Sequence, residues 1–524
     1  MSDADAAIAD YIGRDFGTFA DFVALQAAAR PDHVALICDE AQASYADLDA
    51  LADRVAAGLQ RDGVRRGGVV AICASSSIDY AAIFIGTLRA GAAISPLAPS
   101  ATPAQLAAML ADCGASHLFT DAAVSAALAP VEDALSARRI ALDAGAKGEA
   151  LASWLPADAS ALRPVAIDPD LPFNIIYSSG TTGTPKGIVQ SHRMRWPHNN
   201  PADPPGFGRD AVALVSTPLY SNTTLVHFLP ALAGGGTVVL MPRFDARRYL
   251  ELAERHRVTH TMLVPVQYRR ILDVADFDRF DLSSFIVKFA TSAPFSAELK
   301  AEVLRRWPGG LIEYYGMTEG GGSCMLVAHE HPDKLATVGQ PMPGHDIRLI
   351  DAQGRLLGPG EVGEVVGRSA AMMSGYYNQP AKTAEAEWTS PEGERFIRTG
   401  DLAMMDEDGF FTLIGRRKDM IVSGGFNIYP VDLEEILCEH PAVAEAAVIG
   451  AASRQWGETP VGFVTLVDGA AIGGADLREF ANARLGKMQR LADVRIVDEL
   501  PRSAIGKILK RELQDRLADE SATY

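Results

Sequence analysis

A loop rich in hydroxyl side chains and glycine follows an apolar run that begins near residue 175. Five Ser or Thr residues lie between positions 178 and 184, with glycines among them, and a lysine follows. Glycine lets backbone amides turn toward an anion, hydroxyls donate further hydrogen bonds, and a lysine adds positive charge. The segment therefore predicts a phosphate site. Its candidate ligands are Ser178, Ser179, Gly180, Thr181, Thr182, Gly183, Thr184 and Lys186.

A flexible surface loop is the alternative interpretation of such a stretch, because short glycine-rich matches often mislead. The length and order of this loop argue against it. The spacing of Gly180 and Lys186 differs from the G-x-x-x-x-G-K-[ST] pattern, and a glycine follows the lysine. The sequence therefore disfavours a kinase or a motor ATPase.

The loop resembles the signature of the adenylate-forming superfamily, which contains acyl-CoA synthetases, nonribosomal adenylation domains and luciferases. Four later strings resemble further motifs of this superfamily. The resemblance extends roughly from Phe19 to Leu513 and is greatest to aryl- or acyl-CoA ligases. The four strings are Tyr314–Glu319, Thr399–Leu402, Gly415–Asp419 and Pro501–Ile508.

The resemblance implies a role for each motif residue. Tyr315 would stack on adenine, Thr318 would donate to the α-phosphate, and Glu319 would hold Mg²⁺, which prefers carboxylate and phosphate oxygens. Asp401 and Arg416 would bind the ribose, since a carboxylate accepts from two hydroxyls at once. Lys507 would be the catalytic lysine of adenylation. The further candidates for binding nucleotide or coenzyme A are Ser292, Ala293, Pro294, Tyr314, Gly316, Lys418, Gly424, Gly425 and Trp456.

The implied reaction has two steps and uses ATP, Mg²⁺ and coenzyme A. A carboxylate first attacks the α-phosphorus of ATP and expels pyrophosphate, and the charge that develops needs a lysine, a metal and oriented amides. The thiol of coenzyme A then attacks the acyl carbon where Lys507 stood. The superfamily resolves this conflict by rotating the small domain about a hinge at the position of Lys418.

The acid pocket is assigned by resemblance alone, to positions whose side chains are small or uncharged. They favour an apolar aromatic, arylpropenoic or cyclic acid over a dicarboxylate, which would call for an arginine clamp. Ser221, Glu313 and the stretch 487–492 depart from the usual pattern. The pocket candidates are Tyr220, Ser221, Thr224, Gly320, Gly321 and Gly322.

Two other functions remain open. The chain could be a stand-alone adenylation enzyme that loads a carrier protein, or a medium-chain fatty acyl-CoA synthetase. A catalytically silent nucleotide-binding protein is disfavoured, because Lys186, Glu319, Asp401 and Lys507 are all present.

The elements that must position these residues are predicted from hydrophobic periodicity. Apolar runs alternate with amphipathic segments from residue 44 to 98 and again from 237 to 307, which is typical of a parallel α/β sheet. Short runs broken by turn residues predict a β-rich subdomain at 343–415. We expect an α/β fold with a large N-terminal domain of stacked sheets at 1–417 and a small mobile α+β domain at 418–524.

Composition excludes several classes of function. The net charge of −18 over 524 residues argues against nucleic acid as a partner. The acidic amino terminus does not predict a secretory signal, and no apolar stretch predicts a membrane span. The five cysteines lie far apart, which predicts a reducing, cytoplasmic location. A homodimer is compatible with the sequence, which leaves the oligomeric state open.

Overall fold

The computed structural model describes residues 3–178, 186–200, 206–423, 426–486, 489–503 and 506–520. The phosphate-loop candidates from Ser179 to Thr184 lie outside these residues, as does the side chain of Ser178. Gly424 and Gly425 also lie outside them, so their predicted roles stay predictions.

Several helices begin directly after a Ser, Thr or Asp whose side chain accepts a hydrogen bond from the first turn. The clearest case is Ser44, whose hydroxyl accepts from the amide of Asp47 while the Asp47 carboxylate accepts from the amide of Ser44. This reciprocal cap satisfies two backbone donors that a helix start leaves unpaired. The helices are α1 (Asp3–Ile12), α2 (Phe19–Ala29), α3 (Tyr45–Arg61), α4 (Ile78–Arg89), α5 (Pro103–Cys113), α6 (Ala122–Ala127), α7 (Leu151–Trp154), α8 (His192–Asn199), α9 (Asn222–Ala233), α10 (Ala246–Arg255), α11 (Pro265–Leu272), α12 (Ala297–Arg306), α13 (Pro380–Glu385), α14 (Pro430–Cys438), α15 (Gly474–Asn482) and α16 (Lys510–Asp519).

The strands coincide with the short apolar runs of the sequence. Those of the first half are β1 (Val34–Cys38), β2 (Ala41–Ser44), β3 (Val69–Cys73), β4 (Ala93–Pro96), β5 (His117–Thr120), β6 (Arg138–Ala141), β7 (Glu149–Ala150), β8 (Pro172–Ser178), β9 (Lys186–Ser191), β10 (Val212–Val215), β11 (Thr237–Leu240) and β12 (His260–Leu263). Those of the second half are β13 (Val287–Ala290), β14 (Gly310–Tyr315), β15 (Cys324–Val327), β16 (Gln340–Pro341), β17 (Asp346–Ile350), β18 (Val362–Arg368), β19 (Gly375–Tyr376), β20 (Glu387–Thr389), β21 (Arg395–Met405), β22 (Phe411–Arg416), β23 (Ile421–Ser423), β24 (Phe426–Ile428), β25 (Val443–Ser453), β26 (Gly457–Leu466) and β27 (Asp493–Ile496).

Two long sheets have parallel centres, with antiparallel strands at both edges of the first and at the β19 edge of the second. The strand order of one runs β15-β14-β13-β12-β10-β11-β1-β2, and that of the other runs β19-β9-β8-β4-β3-β5-β6-β7. Every residue of β3 is buried, as expected of a strand covered by helices on both faces. Further sheets join β22, β21, β18 and β17, and β24, β23, β26, β25 and β27.

Close helix packing covers the parallel strands. Helices α3 and α4 approach at Gly86, where a Cβ atom would lie 2.6 Å from the carbonyl oxygen of Ala52. Only glycine permits this approach, so the position fixes the spacing of the two helices. Among the described residues, no helix is both long enough and apolar enough to cross a membrane.

Contacts within the chain group it into two compact units. The first contains residues 1–335, 342–346 and 368–397, and the second contains residues 336–341, 347–367 and 398–524. The predicted boundary near Lys418 stays a prediction. The two units are described separately below.

Candidate active site

Parallel strands bring the first part of the site together. Strands β10, β12, β13 and β14 run parallel to one another, so their carboxyl ends meet at one edge of the sheet. The segments that follow β10, β13 and β14 carry the predicted acid, adenine and metal residues. Ligands of α/β sheets bind at this edge, because the loops there converge while the strands hold them rigidly.

A hydrogen bond joins two of these segments directly. The hydroxyls of Thr223, at the start of α9, and Ser292, after β13, lie 2.5 Å apart. Ser292 adopts a left-handed backbone with φ of +79°, which is uncommon for a residue with a Cβ atom. The next residue of α9, Thr224, donates to the hydroxyl of Thr217 at 2.8 Å. The adenine and acid candidates are therefore neighbours.

The predicted phosphate lysine lies at the base of a hairpin. Strands β8 and β9 pair antiparallel, with Ser178 opposite Lys186, so the strand pair closes the loop between them. The ammonium of Lys186 lies 5.0 Å from the centre of the Tyr376 ring. This contact between a cation and an aromatic face orients the lysine beside the loop.

Tyr376 also holds the predicted metal ligand. Its hydroxyl donates to Oε1 of Glu319 at 2.9 Å, and the Glu319 carbonyl accepts from the amide of Met373 at 2.8 Å. Burial and the neighbouring Glu319 carboxylate raise the pKa of the Tyr376 hydroxyl well above its ordinary value, so it remains a donor. Sequence reasoning missed this residue, and the only signal was the aromatic pair Tyr376-Tyr377 after a glycine.

The Glu319 carboxylate suits Mg²⁺ with phosphate. It is partly exposed, and Tyr376 contacts both this carboxylate and Lys186. Among the described residues, no three His, Cys, Asp or Glu side chains cluster to hold a metal alone. Mg²⁺ commonly takes one or two carboxylates and fills its other positions with phosphate and water, so a single glutamate is sufficient.

The glycines after Glu319 are required by their backbone. Gly320, Gly321 and Gly322 have φ of +72°, +88° and +136°, a region that side chains disfavour. A Cβ atom on Gly320 would lie 2.0 Å from the carbonyl oxygen of Ala371. The amide of Gly321 donates to that same oxygen at 3.1 Å, which anchors the turn.

The two tyrosines of β14 point to opposite faces, as successive strand residues do. Tyr314 stacks on Phe289 with ring centres 5.9 Å apart. Gln190 supports the same motif from β9, because its amide donates to the carbonyl oxygen of Thr318 at 2.6 Å. Gln190 is buried and was not predicted from the sequence.

The unusual Glu313 is compensated by a cation. Its carboxylate lies 2.5 Å from the ammonium of Lys300, and the side chains are 4% and 1% exposed. Burial raises the pKa of Glu313 to about 7, although Lys300 acts to lower it. Lys300 also donates to the carbonyl oxygen of Leu335 at 2.7 Å. The pair fastens β14 to helix α12.

The second unit contains the predicted ribose and lysine residues. Asp401 and Arg416 face each other across β21 and β22, and Oδ1 of Asp401 lies 2.8 Å from Nε of Arg416. The amide of Asp401 donates to the hydroxyl of Thr399 at 3.0 Å. The strand pair thus fixes both predicted ribose contacts in one place.

Lys507 belongs to a tight turn near this pair. Its amide donates to the Ser503 hydroxyl at 3.2 Å, and its carbonyl accepts from the Ser503 amide at 2.8 Å. Burial lowers the pKa of Lys507 to about 8, and the neighbouring Arg416 cation acts in the same direction while Asp401 opposes it. Lys507, Arg416 and Asp401 are therefore close enough to act electrostatically on each other.

Lys418 and Trp456 lie in the same unit. Lys418 is in a short 3₁₀ turn after β22, and burial lowers its pKa while Asp419 opposes the shift. Trp456 precedes β26 with 42% of its surface exposed, so it is not a core residue.

The remaining candidates also lie at the edge formed by the first unit. Ser221 is buried and Tyr220 is half-buried, and burial raises the pKa of Tyr220. Ala293 and Pro294 follow the strained Ser292, with Pro294 exposed. A Cβ atom on Gly316 would lie 2.7 Å from the hydroxyl of Ser323, so this glycine allows the motif to pass close to the turn.

The sequence matches known protein families along most of its length. Residues 23–377 match the family described as AMP-binding enzyme, and residues 432–507 match the AMP-binding enzyme C-terminal domain. The chain is 31% identical to indoleacetate–CoA ligase of Aromatoleum aromaticum over 95% of this chain and 98% of that protein. It is 32% identical to the fatty acid–[acyl-carrier-protein] ligase ScoC of Streptomyces coeruleorubidus over 94% and 95%.

Solved structures show the same architecture. The crystal structure of ATP-bound MatB from Rhodopseudomonas palustris matches with a TM-score of 0.85 and 28% identity, over 96% of this chain and all of that one. The predicted fold class, with its large N-terminal and smaller C-terminal domains, is confirmed. The predicted resemblance is confirmed as well: the chain belongs to the AMP-binding enzyme family.

Proposed function

We propose that this enzyme activates an apolar aromatic, arylpropenoic or cyclic acid and converts it to the coenzyme A thioester. The reaction class is that of an AMP-forming acid–CoA ligase, with ATP, Mg²⁺ and coenzyme A as its reactants and cofactor. The identity of the acid goes beyond this reaction class and is the new part of the proposal. All five cysteine thiols are free, which supports a reducing cytoplasm as the compartment.

The observation that carries the proposal is an aromatic cluster beside the acid-pocket candidates. Helix α9 presents Thr224 and, three residues later, the buried ring of His227. His227 lies 5.9 Å from the Phe289 ring, which in turn stacks on Tyr314. Aromatic faces and edges complement an aromatic substrate. Indoleacetate, the acid named for one relative, is of this class.

The chain's own residues supply the chemistry of the first step. Lys186 and the amides of its loop would hold the departing phosphates, and Thr318 would donate to the α-phosphate. Tyr376 holds Glu319 in position for the metal, which when bound would neutralise charge on phosphate oxygens. Lys507 would place its ammonium against the charge that develops at the α-phosphate.

The residues of the second unit would bind the ribose and guide the thiol. Asp401, fixed by Arg416, would accept from the ribose hydroxyls. For thioester formation, rotation at Lys418 would withdraw Lys507 and bring Gly424 and Gly425 to the pantetheine tunnel. The exposed Trp456 would then contact coenzyme A.

A panel of acids screened for pyrophosphate release with ATP and Mg²⁺ tests the substrate. The panel would pair indoleacetic, cinnamic and cyclohexanecarboxylic acids with fatty acids of matched carbon number. We expect the ring acids to give the higher kcat/KM, because the cluster offers aromatic contacts. A higher kcat/KM for the matched fatty acids would refute the proposed substrate class and favour a medium-chain acyl-CoA synthetase.

A carrier-loading enzyme is the second candidate, supported by the similarity to the acyl-carrier-protein ligase ScoC. Both functions share adenylation and differ in the thiol that attacks. Thioester formation with free coenzyme A should therefore be compared with formation on a phosphopantetheinylated carrier protein. We expect coenzyme A to react faster. If the carrier protein reacts faster than coenzyme A, the enzyme is a carrier-loading ligase.

A further inference from the structure

Helix α8 turns three polar side chains toward the interior of the first unit. Arg195 and Asn199 are 0% and 2% exposed. The ring of His198 is partly exposed, but its Nδ1 atom is enclosed. Since residues three and four apart share a helix face, these side chains are neighbours. We call them the α8 polar face.

Each residue of the α8 polar face has an atom without a hydrogen-bond partner among the described residues. These atoms are Nη1 of Arg195, Nδ1 of His198 and Oδ1 of Asn199. An unpaired buried polar group costs roughly 1–3 kcal/mol. Native proteins pair nearly all such groups with protein or with ordered water, so these three atoms are available to hydrogen-bond a bound group.

The rest of the Arg195 guanidinium is already engaged. Its Nε donates to Oδ1 of Asn174 at 3.1 Å, and its Nη2 donates to Oδ1 of Asn222 at 2.7 Å and to Oε1 of Gln190. Among the described residues no carboxylate pairs with Arg195, whose pKa is lowered by burial alone. A guanidinium holds a carboxylate with two parallel hydrogen bonds, either from Nε and Nη2 or from Nη1 and Nη2. Both pairs include Nη2, whose hydrogens are already donated, so Arg195 cannot bind a carboxylate in this way.

Helix α8 adjoins the turn predicted to line the acid pocket. Arg195 donates to the side chain of Gln190, which donates in turn to the carbonyl oxygen of Thr318 at 2.6 Å, two residues before Gly320. Met194 of the same helix lies against Gly320, where a Cβ atom would be 2.8 Å from its Cε. At the other end of the turn, the amide of Ser323 donates to Nδ1 of His345 at 2.8 Å. Burial first, then Arg195 and His345, lower the pKa of His198 to about 3. His198 is therefore neutral at physiological pH, and it lies close enough to Arg195 and His345 for their charges to act on it.

We propose that Arg195, His198 and Asn199 bind an uncharged oxygen, a hydroxyl or carbonyl group, at the end of the acid substrate far from its carboxylate. This inference rests on the proposed function and names the substrate class more narrowly. A hydroxyl accepts from Nη1 of Arg195 and donates to Oδ1 of Asn199, so it satisfies both at once. A second carboxylate would instead place its charge against the acceptor oxygen of Asn199.

Matched pairs of acids test the proposal in the adenylation step. The pairs are cinnamic acid with its 2-, 3- and 4-hydroxy derivatives, and octanoic acid with 8-hydroxyoctanoic and octanedioic acids. Pyrophosphate release would be measured for each acid with the wild-type enzyme. We expect one hydroxylated acid to exceed its unsubstituted partner in kcat/KM by about 10- to 100-fold, as one or two hydrogen bonds to buried groups allow.

Asn199→Leu removes the acceptor while nearly keeping the volume. We expect this variant to reduce the preference for the hydroxylated acid, measured as the ratio of its kcat/KM to that of the unsubstituted acid, to less than about threefold. Arg195→Lys keeps the charge but loses the fork, and should also reduce the preference. Thr87→Val is the control: Thr87 is fully buried in α4 with an unpaired hydroxyl, so the preference should stay as in wild type.

The outcomes separate this inference from the proposed function. If wild type shows no hydroxyl preference in either series, if Asn199→Leu keeps the preference, or if octanedioic acid reacts best, the inference is wrong. If only the aliphatic series reacts, the aromatic class fails, but the preference for 8-hydroxyoctanoic acid still decides the role of the α8 polar face. Thermal melting of each variant establishes that it is folded.

Discussion

The pKa of Lys507 should set the alkaline limit of adenylation. Burial lowers this pKa to about 8, and only the protonated ammonium can stabilise charge on the α-phosphate. With a pKa of about 8, the protonated fraction falls from roughly nine-tenths at pH 7 to roughly one-tenth at pH 9. We therefore expect the kcat/KM of adenylation to fall about tenfold over this range, whereas a lysine of ordinary pKa would lose almost nothing.

The assay is pyrophosphate release between pH 6.5 and 9.5 at constant ionic strength, with ATP varied. The pH dependence of kcat/KM for ATP reports the pKa values of the free enzyme, and the Lys507 pKa of about 8 is that of the protein without ligand. Lys507→Arg is the matched variant, because a guanidinium stays protonated throughout this range. Its activity should be lower, but it should lack the decline between pH 7 and 9.

Two results would refute this reasoning. One is a wild-type profile that stays flat to pH 9.5, and the other is an identical decline in Lys507→Arg, which would assign it to another group. Lys507→Ala provides a further check. It should abolish adenylation while largely sparing thioester formation from supplied acyl-adenylate, and an equal loss in both half-reactions would contradict the assigned role.

Other variants probe the remaining parts of the site. Tyr376→Phe removes the donor to Glu319 and should raise the Mg²⁺ concentration needed for half-maximal pyrophosphate release by about tenfold, as loss of one charge-assisted hydrogen bond implies; an unchanged Mg²⁺ requirement would contradict this. Gly320→Ala should lower the free energy of unfolding, measured by denaturant unfolding, by more than about 2 kcal/mol, because it combines a left-handed φ with a clash. Gly344→Ala is the control: Gly344 has a similar φ but open space around it, so the loss should be only about 1–2 kcal/mol. Lys418→Pro should spare adenylation and block thioester formation in separate half-reaction assays, and normal overall turnover would argue against a hinge there.

Much of the fold could be predicted because its signals are local. The alternation predicted over residues 44–98 is present: α3 spans Tyr45–Arg61 after the cap at Ser44, and β3 spans the apolar run Val69–Cys73. Helix caps and hydrophobic periodicity depend on residues that are neighbours in sequence, so both can be recognised without knowledge of the tertiary structure.

The supporting residues of the site could not be predicted in this way. Tyr376 reaches Glu319 across 57 positions of sequence, and Gln190 reaches Thr318 across 128. Neither residue type is unusual where it stands, and only the pairing of β9 with β19 and the sheet edge bring them to the site. The charge balance of Glu313 was hidden for the same reason, since Lys300 lies on a different element.

Because Lys300 and Glu313 form a buried ion pair, the effect of a substitution at either position depends on the residue at the other. Losing either partner would strand the other charge in the interior, at a cost of about 3–5 kcal/mol, while an apolar pair of similar volume could be neutral. A mutational scan should therefore score each single substitution as harmful and selected double substitutions as tolerated. Any redesign of β14 to change the acid pocket has to treat these two positions as one.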